Sequence, residues 1–277
     1  MKILTVCRMN QARSVFSKAV LDSLIPGIEV FSAGVEVTDH VPPMPLTKLI
    51  SHRWGLEIPN SHSTNVKEFA TSHFDLVLVA ENWMKSEISC GYSQILSYED
   101  IAIMSEFLPC DPELLEKSGF EIELAKVFWV SMRALSNSSN FVNSQITAVI
   151  PEHESLIGKS LEFATHFARS TGAFLVDAEV RTSYITDLGR LNLKPYQFTP
   201  TEEDLYDSEK FITFQINEQN SGRYFLFSDF YRTLSGLSRM RPLVMVTAPI
   251  FSFDGPLYDS FFASAIADDI RLIRQFS

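Results

Sequence analysis

The chain has 277 residues, of which 45% are hydrophobic and 21% are charged, a composition typical of a globular protein large enough for two domains. Its formal net charge is -11, and acidic residues outnumber basic ones in both halves of the sequence. An acidic surface of this kind disfavours non-specific binding to nucleic acid or to an anionic membrane.

The three cysteines, Cys7, Cys90 and Cys110, are an odd number without closely spaced pairs. They favour neither a disulfide framework nor a zinc site, and reduced thiols of this kind are typical of a cytoplasmic protein. No apolar stretch reaches the length of a membrane span, and the apolar run at the N-terminus is too short for a signal peptide. The six histidines are scattered, without the carboxylate partners of a metal site, so no metal is predicted.

In the first half of the chain, strand-like and helix-like segments alternate. Apolar extended runs predict strands at residues 2–6, 28–32 and 74–80. Helical patterns predict helices at residues 14–24, 45–54 and 114–135. We expect Ser14 to be the N-cap of the first helix. The alternation predicts a small parallel sheet, which we expect to have four strands, with helices on both faces.

A run of small, uncharged residues at 136–144 is the best candidate for a linker. After this run the alternation begins again, with strands predicted at residues 145–150, 173–177, 211–216, 243–247 and 270–273. Helices are predicted at residues 159–170, 228–238 and 259–267. The sequence therefore predicts two three-layer α/β domains, residues 1–136 and residues 145–277.

The segment VCRMNQARS places Cys7 at the end of a predicted strand and Arg13 at the start of a predicted helix. A loop of this length can curl so that successive backbone N–H groups converge on one anion, and the helix N-terminus adds positive potential. The guanidinium of Arg13 matches two phosphate oxygens. The same field favours the thiolate form of Cys7, which is a competent nucleophile.

Transfer of a phosphoryl group from an aryl ester also requires a proton for the leaving oxygen. Asp111 precedes Pro112 on a predicted loop before a helix, and it suits a general acid that later activates water as a base. Two plainer interpretations stay open at this point. Cys7 is also typical of a buried cysteine that ends a strand, and Asp111 is also typical of a helix N-cap.

About 135 N-terminal residues resemble the low-molecular-weight protein tyrosine phosphatase family, which includes thiol-dependent arsenate reductases. VCRMNQARS resembles the family's Cys-x-Gly-Asn-x-x-Arg-Ser loop, and the segments FSAG, FDLVLVAEN, HST and CDP resemble two strands and two further loops. The resemblance implies hydrolysis of protein phosphotyrosine through a phosphocysteine intermediate, without a cofactor.

The resemblance also implies a role for each residue of the loop. Cys7 would be the nucleophile, Arg13 would bind phosphate, and Asp111 would be the general acid. Ser14 would stabilise the thiolate and Asn10 would brace the loop. The substrate-binding positions implied in this way are Arg8, Met9, Asn10, Gln11, Ala12 and Ser14.

Three positions depart from the family pattern. Met9 stands where the family has glycine, and we expect a positive φ there that would cost a non-glycine residue about 1 kcal/mol or more. Val15 replaces the usual proline or threonine, and Glu113 stands where phosphatases of the family often have an aromatic wall. These departures leave a second hypothesis open, a phosphoprotein-binding scaffold with weak catalysis. Arsenate reduction is disfavoured because Cys90 has no partner cysteine a few residues before it.

A second motif, Gly158-Lys159-Ser160, follows a predicted strand and opens a predicted helix. In a Walker A loop the lysine reaches the terminal phosphates and the serine holds Mg²⁺, but His153 occupies the position of the first glycine. Residues 145–274 loosely resemble the cytoplasmic domain of bacterial tyrosine autokinases that regulate polysaccharide export, relatives of the partitioning ATPases. The resemblance rests on LIGKS, FLVDAEVR and LVMVTAPI, and it would add Asp177 to a nucleotide site.

Two losses argue against ATP hydrolysis by this second domain. Thr247 stands where the metal-organising aspartate belongs, and Glu179 replaces another acidic position. We therefore expect a truncated, degenerate P-loop-like domain that acts as a scaffold, with binding of ATP and Mg²⁺ disfavoured. The two resemblances together suggest that the partner is a phosphotyrosine protein, for which a bacterial tyrosine autokinase is one candidate. They do not predict the oligomeric state.

Overall fold

The structure is a computed structural model of the chain. It describes residues 1–25, 27–53, 56–59, 62–103, 105–112, 117–137, 146–177, 211–213, 242–246, 267 and 269–274. The chain divides into two compact units, Met1–Ser139 and Asn140–Ser277. Within the described ranges, no helix has both the length and the apolar character needed to cross a membrane.

Four parallel strands form the sheet of the first unit, in the order β2-β1-β3-β4. They are β1 (Lys2–Cys7), β2 (Glu29–Gly34), β3 (His73–Val79) and β4 (Gly91–Ser97). The central strands β1 and β3 are mostly buried, which is why they have continuous apolar runs and could be predicted. Strand β4 lies at the edge with an exposed polar first half, so its pattern did not mark it as a strand.

The helices of this unit are α1 (Arg13–Leu24), α2 (Pro45–Arg53), α3 (Tyr98–Ile101) and α4 (Lys117–Asn137). Helix α1 packs against β1, β2 and α4. The prediction that Ser14 caps α1 is wrong, because the N-cap is Ala12 and no side chain caps the helix. The hydroxyl of Ser14 is engaged instead by Cys7 and Asn10.

Aromatic rings fill much of the core of the first unit. Phe31, Phe69 and Phe74 meet edge to face, with each pair of ring centroids 5.7 Å apart. The rings of Phe107 and Trp129 lie 4.5 Å apart and join the segment before residue 111 to helix α4. This packing connects the turn of Phe69 to the sheet and the segment before residue 111 to α4.

The second unit contains a parallel sheet in the order β7-β6-β8-β5-β9. Its strands are β5 (Ile146–Pro151), β6 (Phe174–Asp177), β7 (Phe211–Thr213), β8 (Leu243–Val246) and β9 (Asp269–Ile273). Helix α5 (Ile157–Thr171) follows β5 and buries Ala164 and Ala168 against Val149 and Val244 of the sheet. The predicted α/β class with parallel sheets is thus confirmed, whereas the P-loop-like nature of this unit stays a prediction.

Some predicted elements lie outside the described residues. These are the helix at 228–238, the helix at 259–267 except for its last residue, and residues 138–144 of the predicted linker. The first two residues of that linker, 136 and 137, belong to helix α4.

Candidate active site

The carboxyl ends of β1, β2 and β3 meet at the segment that follows β1. Cys7 is in register with Gly34 at the end of β2. Ala80, directly after β3, donates its backbone N–H to the carbonyl of Val6 at 2.8 Å. In open parallel sheets, ligands bind at this edge because the loops that follow neighbouring strands converge there. The sheet therefore brings three distant loops around Cys7.

Backbone carbonyl groups of the loop after β1 are bonded to its neighbours. The carbonyls of Cys7 and Arg8 accept from the two amides that follow Gly34, at 3.1 and 2.9 Å, and the carbonyl of Gln11 accepts from Met44 at 3.1 Å. Because a trans peptide is planar, the N–H next to each carbonyl points the opposite way, toward the inside of the loop. The loop can therefore present amides to an anion, as the sequence predicts.

Gly34 permits the loop to lie this close to β2. A Cβ atom at this position would lie 2.7 Å from the carbonyl oxygen of Arg8 and from Cγ2 of Val37, and 2.8 Å from the amide nitrogen of Asn10. Side-chain carbons do not approach backbone atoms so closely. The glycine is therefore required by the position of the loop.

Three buried polar side chains form a chain of hydrogen bonds beneath the loop. Sγ of Cys7 lies 3.0 Å from Oγ of Ser14, and Nδ2 of Asn10 donates to the same Oγ at 3.0 Å. Because this oxygen accepts from Asn10, its own hydrogen can be donated to the sulfur of Cys7. A donor in this position stabilises a thiolate, which is the role the resemblance implies for Ser14.

Asn10 is the residue of the loop with a positive φ, at 55°, and among the described non-glycine residues it alone has one. The expectation that Met9 would adopt a positive φ is therefore wrong. Asparagine tolerates the left-handed region better than most residues. The Asn10 side chain is also held at both ends, since its Oδ1 accepts from the amide of Thr64 at 2.9 Å. Strain at Met9 thus no longer argues for a deformed loop.

The remaining predicted substrate-binding residues of the loop differ in what they contribute. The Arg8 guanidinium is exposed and pairs with Glu36 at 2.6 Å, so its contribution to an anion site is its backbone amide. Met9 and Gln11 are partly buried, and Ala12 is buried at the start of α1. Anion binding by these four residues therefore depends on the backbone rather than on side chains.

Arg13 is 3% exposed and lies between two carboxylates. Its Nη1 is 3.0 Å from Oε1 of Glu81, and its Nη2 is 3.1 Å from Oδ2 of Asp111. Burial works against the positive charge, but attraction to Cys7 and Asp111 above all outweighs it and raises the pKa of Arg13. The guanidinium is therefore a fixed, permanently charged group at the base of the loop.

Asp111 reaches Arg13 although 98 residues separate the two in sequence. The loop that carries Asp111 is anchored to α4, because the amide of Cys110 donates to Oε2 of Glu123 at 2.5 Å. The other oxygen of Glu123 accepts from Lys126 at 2.8 Å. The structure thus brings together Cys7, Arg13 and Asp111, the three predicted catalytic residues.

Two residues near the site were missed by the sequence analysis. Glu81 follows β3, and a carboxylate directly after a buried strand is a signal that could have identified it. Tyr98 follows β4 and is fully buried, and this burial raises the pKa of its hydroxyl, against the attraction of Arg13. Both residues lie at strand ends, so their proximity to Arg13 depends on the strand order of the sheet.

In the second unit, Gly158, Lys159 and Ser160 lie in the first turn of α5. The hydroxyl of Ser160 is buried and donates to the carbonyl of Leu156 at 3.0 Å, and Lys159 is exposed. Asp177 ends β6, opposite the last residue of β8. Nucleotide binding by these residues stays a prediction. Residues 113, 179 and 247, whose identities depart from the family patterns, lie outside the described residues.

Among the residues that the structure describes, no group of three or more His, Cys, Asp or Glu side chains could hold a metal ion. Cys7 and Cys90 are buried and Cys110 is exposed, and all three are free thiols.

The first unit is similar to known phosphatases. Residues 2–110 match the family of the low molecular weight phosphotyrosine protein phosphatase. The chain is 28% identical over 126 residues to the probable low molecular weight protein-tyrosine-phosphatase EpsP of Ralstonia nicotianae. The match covers 45% of this chain and 87% of that protein. Over the same length and with the same coverage the chain is 29% identical to EpsP of Ralstonia solanacearum.

Solved structures to which the chain is similar include the tyrosine phosphatase AmsI of Erwinia amylovora, which is 15% identical with a TM-score of 0.42. That match covers 50% of this chain and 93% of the other. A low molecular weight phosphotyrosine phosphatase from Vibrio cholerae is 18% identical with a TM-score of 0.43, and the match covers 50% of this chain and 95% of the other.

Proposed function

We infer that the first unit, whose residues 2–110 are a low molecular weight phosphotyrosine protein phosphatase domain, hydrolyses phosphotyrosine on proteins with Cys7 as the nucleophile. The observation that carries this inference is the grouping of Cys7, Arg13 and Asp111 at one sheet edge. The sulfur of Cys7 lies 3.0 Å from a hydroxyl donor, and Asp111 lies 3.1 Å from the buried guanidinium. These groups supply a nucleophile, a phosphate binder and an acid.

In the first step, the thiolate of Cys7 attacks the phosphorus atom and the bond from phosphorus to the tyrosine oxygen breaks. The loop amides and Arg13 bind the three phosphoryl oxygens, which carry the charge of the transition state. Asp111 donates its proton to the leaving oxygen, so that tyrosine leaves as a neutral phenol. The products of this step are a phosphocysteine and an aspartate carboxylate.

In the second step, the carboxylate of Asp111 takes a proton from water, and the water oxygen attacks the phosphorus atom of the phosphocysteine. The phosphorus–sulfur bond breaks and Cys7 leaves as a thiolate, stabilised by the hydroxyl of Ser14. Inorganic phosphate is released, and Asp111 is again protonated for the next cycle.

Because Asp111 contacts Arg13, the carboxylate of Asp111 and the phosphate of the substrate compete for the guanidinium. We expect phosphate binding to replace Asp111 at Nη2 of Arg13, while Glu81 keeps Nη1 in position. Binding would thereby release Asp111 from the guanidinium of Arg13, so that its side chain is free to turn to the leaving oxygen.

Initial rates with p-nitrophenyl phosphate at slightly acid pH test the proposed reaction. Wild-type protein should release p-nitrophenol, and Cys7→Ser should abolish turnover because a serine hydroxyl is not ionised. Asp111→Asn should lower kcat by about 100-fold or more, since it removes the proton donor. Cys110→Ser, which changes an exposed thiol beside the acid, is the matched control and should keep wild-type kcat.

Absence of turnover by folded wild-type protein would contradict the phosphatase function. If calorimetry then still detected binding of inorganic phosphate, the phosphoprotein-binding scaffold would be the better interpretation. Turnover in Cys7→Ser equal to that of wild type would contradict the role of Cys7.

We propose that the physiological substrate is a phosphotyrosine protein of the cytoplasm, and that a bacterial tyrosine autokinase of polysaccharide export is a candidate. The support is the resemblance of residues 145–274 to such kinases. In the same assay series, a phosphorylated autokinase domain should lose its phosphotyrosine with wild-type protein and keep it with Cys7→Ser. Turnover of p-nitrophenyl phosphate without loss of phosphotyrosine from the kinase would contradict this choice of partner.

A further inference from the structure

Trp83 is a large aromatic residue that remains exposed at the edge of the first sheet where the loops converge. Its exposed fraction is 44%, whereas Trp129 of the same unit is fully buried in the core. A single exposed aromatic residue is common on protein surfaces and has no meaning by itself. The position and the hydrogen bond of Trp83 are what distinguish it.

The indole of Trp83 is connected to the phosphate-binding arginine through one carboxylate. Its Nε1 donates to Oε2 of Glu81 at 2.8 Å, and Oε1 of the same carboxylate is 3.0 Å from Nη1 of Arg13. Because Glu81 binds both groups at once, the indole is held beside the guanidinium in a fixed orientation. The ring thus lies at the rim of the site, one carboxylate away from the group that would bind phosphate.

The backbone that carries Trp83 is also fixed next to the loop of Cys7. Trp83 belongs to the 3-10 turn Asn82–Glu87, which begins two residues after Ala80, whose amide bonds to the strand that ends in Cys7. The amide and the side chain of Asn82 donate to the carboxylate of Glu99 at 3.0 and 2.6 Å. The turn is therefore a rigid support for an aromatic side chain.

A phosphotyrosine whose phosphate occupies the loop must direct its phenyl ring outward, across the rim of the site. Trp83 offers a rigid aromatic surface at the rim, and aromatic rings in contact attract each other by offset or edge-to-face packing.

We propose that Trp83 forms a wall of the substrate pocket and packs against the phenyl ring of phosphotyrosine, so that the site prefers aryl to alkyl phosphate groups. The proposal rests on the proposed phosphatase function and assigns a specificity residue of that same site. Trp83 takes no part in bond making or breaking.

Isothermal titration calorimetry of the full chain with two phosphonates tests the proposal without turnover. Benzylphosphonate has a phenyl ring, and methylphosphonate offers the same charged group without one. Trp83→Ala should raise the Kd of benzylphosphonate about 3- to 10-fold, as expected for the loss of one aromatic contact. The Kd of methylphosphonate should change less than twofold.

A second variant separates the ring from its hydrogen bond. Trp83→Phe keeps an aromatic surface but loses the N–H that Glu81 accepts, so it should retain most of the preference for benzylphosphonate. Tyr92→Ala is the matched control. Tyr92 is similarly exposed, at 40%, but it lies at the start of β4, at the opposite edge of the sheet from the converging loops. It should leave both Kd values as in wild type.

Three outcomes would overturn the proposal. The first is an unchanged ratio of the two Kd values in Trp83→Ala. The second is an equal loss of affinity for both phosphonates in Trp83→Ala, which would mean that Trp83 acts only through Glu81 and Arg13. The third is a loss of affinity for benzylphosphonate in Trp83→Phe as large as that in Trp83→Ala. By contrast, a wild-type protein that bound neither phosphonate nor inorganic phosphate would contradict the phosphatase function itself.

Discussion

Asn10 joins the loop after β1 to the neighbouring loop of Thr64 through its side chain. The amide oxygen is bonded to the backbone of Thr64, and the amide nitrogen is bonded to the hydroxyl that faces Cys7. One residue therefore fixes the direction of the Ser14 hydroxyl and the position of a neighbouring loop. The positive φ of Asn10 is part of this arrangement, because it places the side chain between Ser14 and Thr64.

Gly34 is the residue at which a single added carbon should disturb the site most. We expect Gly34→Ala to displace the backbone of Arg8 and Asn10 and to lower kcat/KM for p-nitrophenyl phosphate at least 10-fold, because small displacements of positioning groups have large effects on rate. Initial-rate kinetics and a thermal unfolding curve measure the effect. Gly158→Ala is the control, since a Cβ there has no atom within 4 Å, and it should keep wild-type kinetics. Equal activity of the two variants would contradict this reading of Gly34.

The residues of the site that lie close together in the sequence could be predicted, and those that come from distant strands could not. Cys7, Arg13 and Ser14 belong to one short motif, so their spacing alone indicates an anion loop. Glu81 and Tyr98 approach Arg13 only because β3 and β4 lie on the same side of β1, and a sequence without known strand order does not contain that information. The sequence has no pattern that shows which loop residue has a positive φ, so it does not distinguish Asn10 from Met9.

Helix α4 positions the predicted acid through a contact with the backbone of the acid loop. Glu123 is almost fully buried, and it binds the amide of Cys110 directly before Asp111. Element prediction located α4 correctly, but its apolar face gave no reason to single out a glutamate within it. Strand β4 could not be located from the sequence, because the first half of this edge strand is exposed and has no apolar run.

We expect Glu123→Ala to lower kcat for p-nitrophenyl phosphate about 10-fold, because the acid loop loses its anchor and Asp111 is no longer held near the leaving oxygen. The Kd of inorganic phosphate should not rise, because phosphate binding requires the loop after β1 and a loosened Asp111 competes less well for Arg13. Glu123→Gln keeps an oxygen acceptor for the Cys110 amide and should retain most of the wild-type kcat. A parallel loss of phosphate binding and kcat in Glu123→Ala would indicate a general structural defect and contradict the positioning role.

The stability of the first unit at high pH should depend on Tyr98. Burial raises the pKa of its hydroxyl, while the tyrosine of an unfolded chain ionises near pH 10. Above about pH 10 the unfolded state therefore binds fewer protons than the folded state, and the free energy of unfolding falls as pH rises, by at most about 1.4 kcal/mol per pH unit for one group. Below about pH 9 the residue makes no contribution to the pH dependence.

Urea denaturation of wild type and Tyr98→Phe at pH 8 and at pH 11 measures this effect. The decrease in stability between the two pH values should be smaller in Tyr98→Phe, and Tyr92→Phe, which changes an exposed tyrosine, should behave like wild type. An identical decrease in all three proteins would show that Tyr98 ionises as easily in the folded state as in the unfolded one.

The position of the loop carbonyls has a consequence for how the first unit folds. Their hydrogen bonds go to the end of β2 and to Met44, and Asn10 adds a bond to Thr64, so three separate stretches of chain must be in place before the loop has its shape. Partly folded chains should therefore have no affinity for phosphate, even though the motif itself is contiguous. An anion that binds only the completed loop stabilises the whole folded unit by mass action, and the cell's own phosphate would act in this way as a ligand that supports folding.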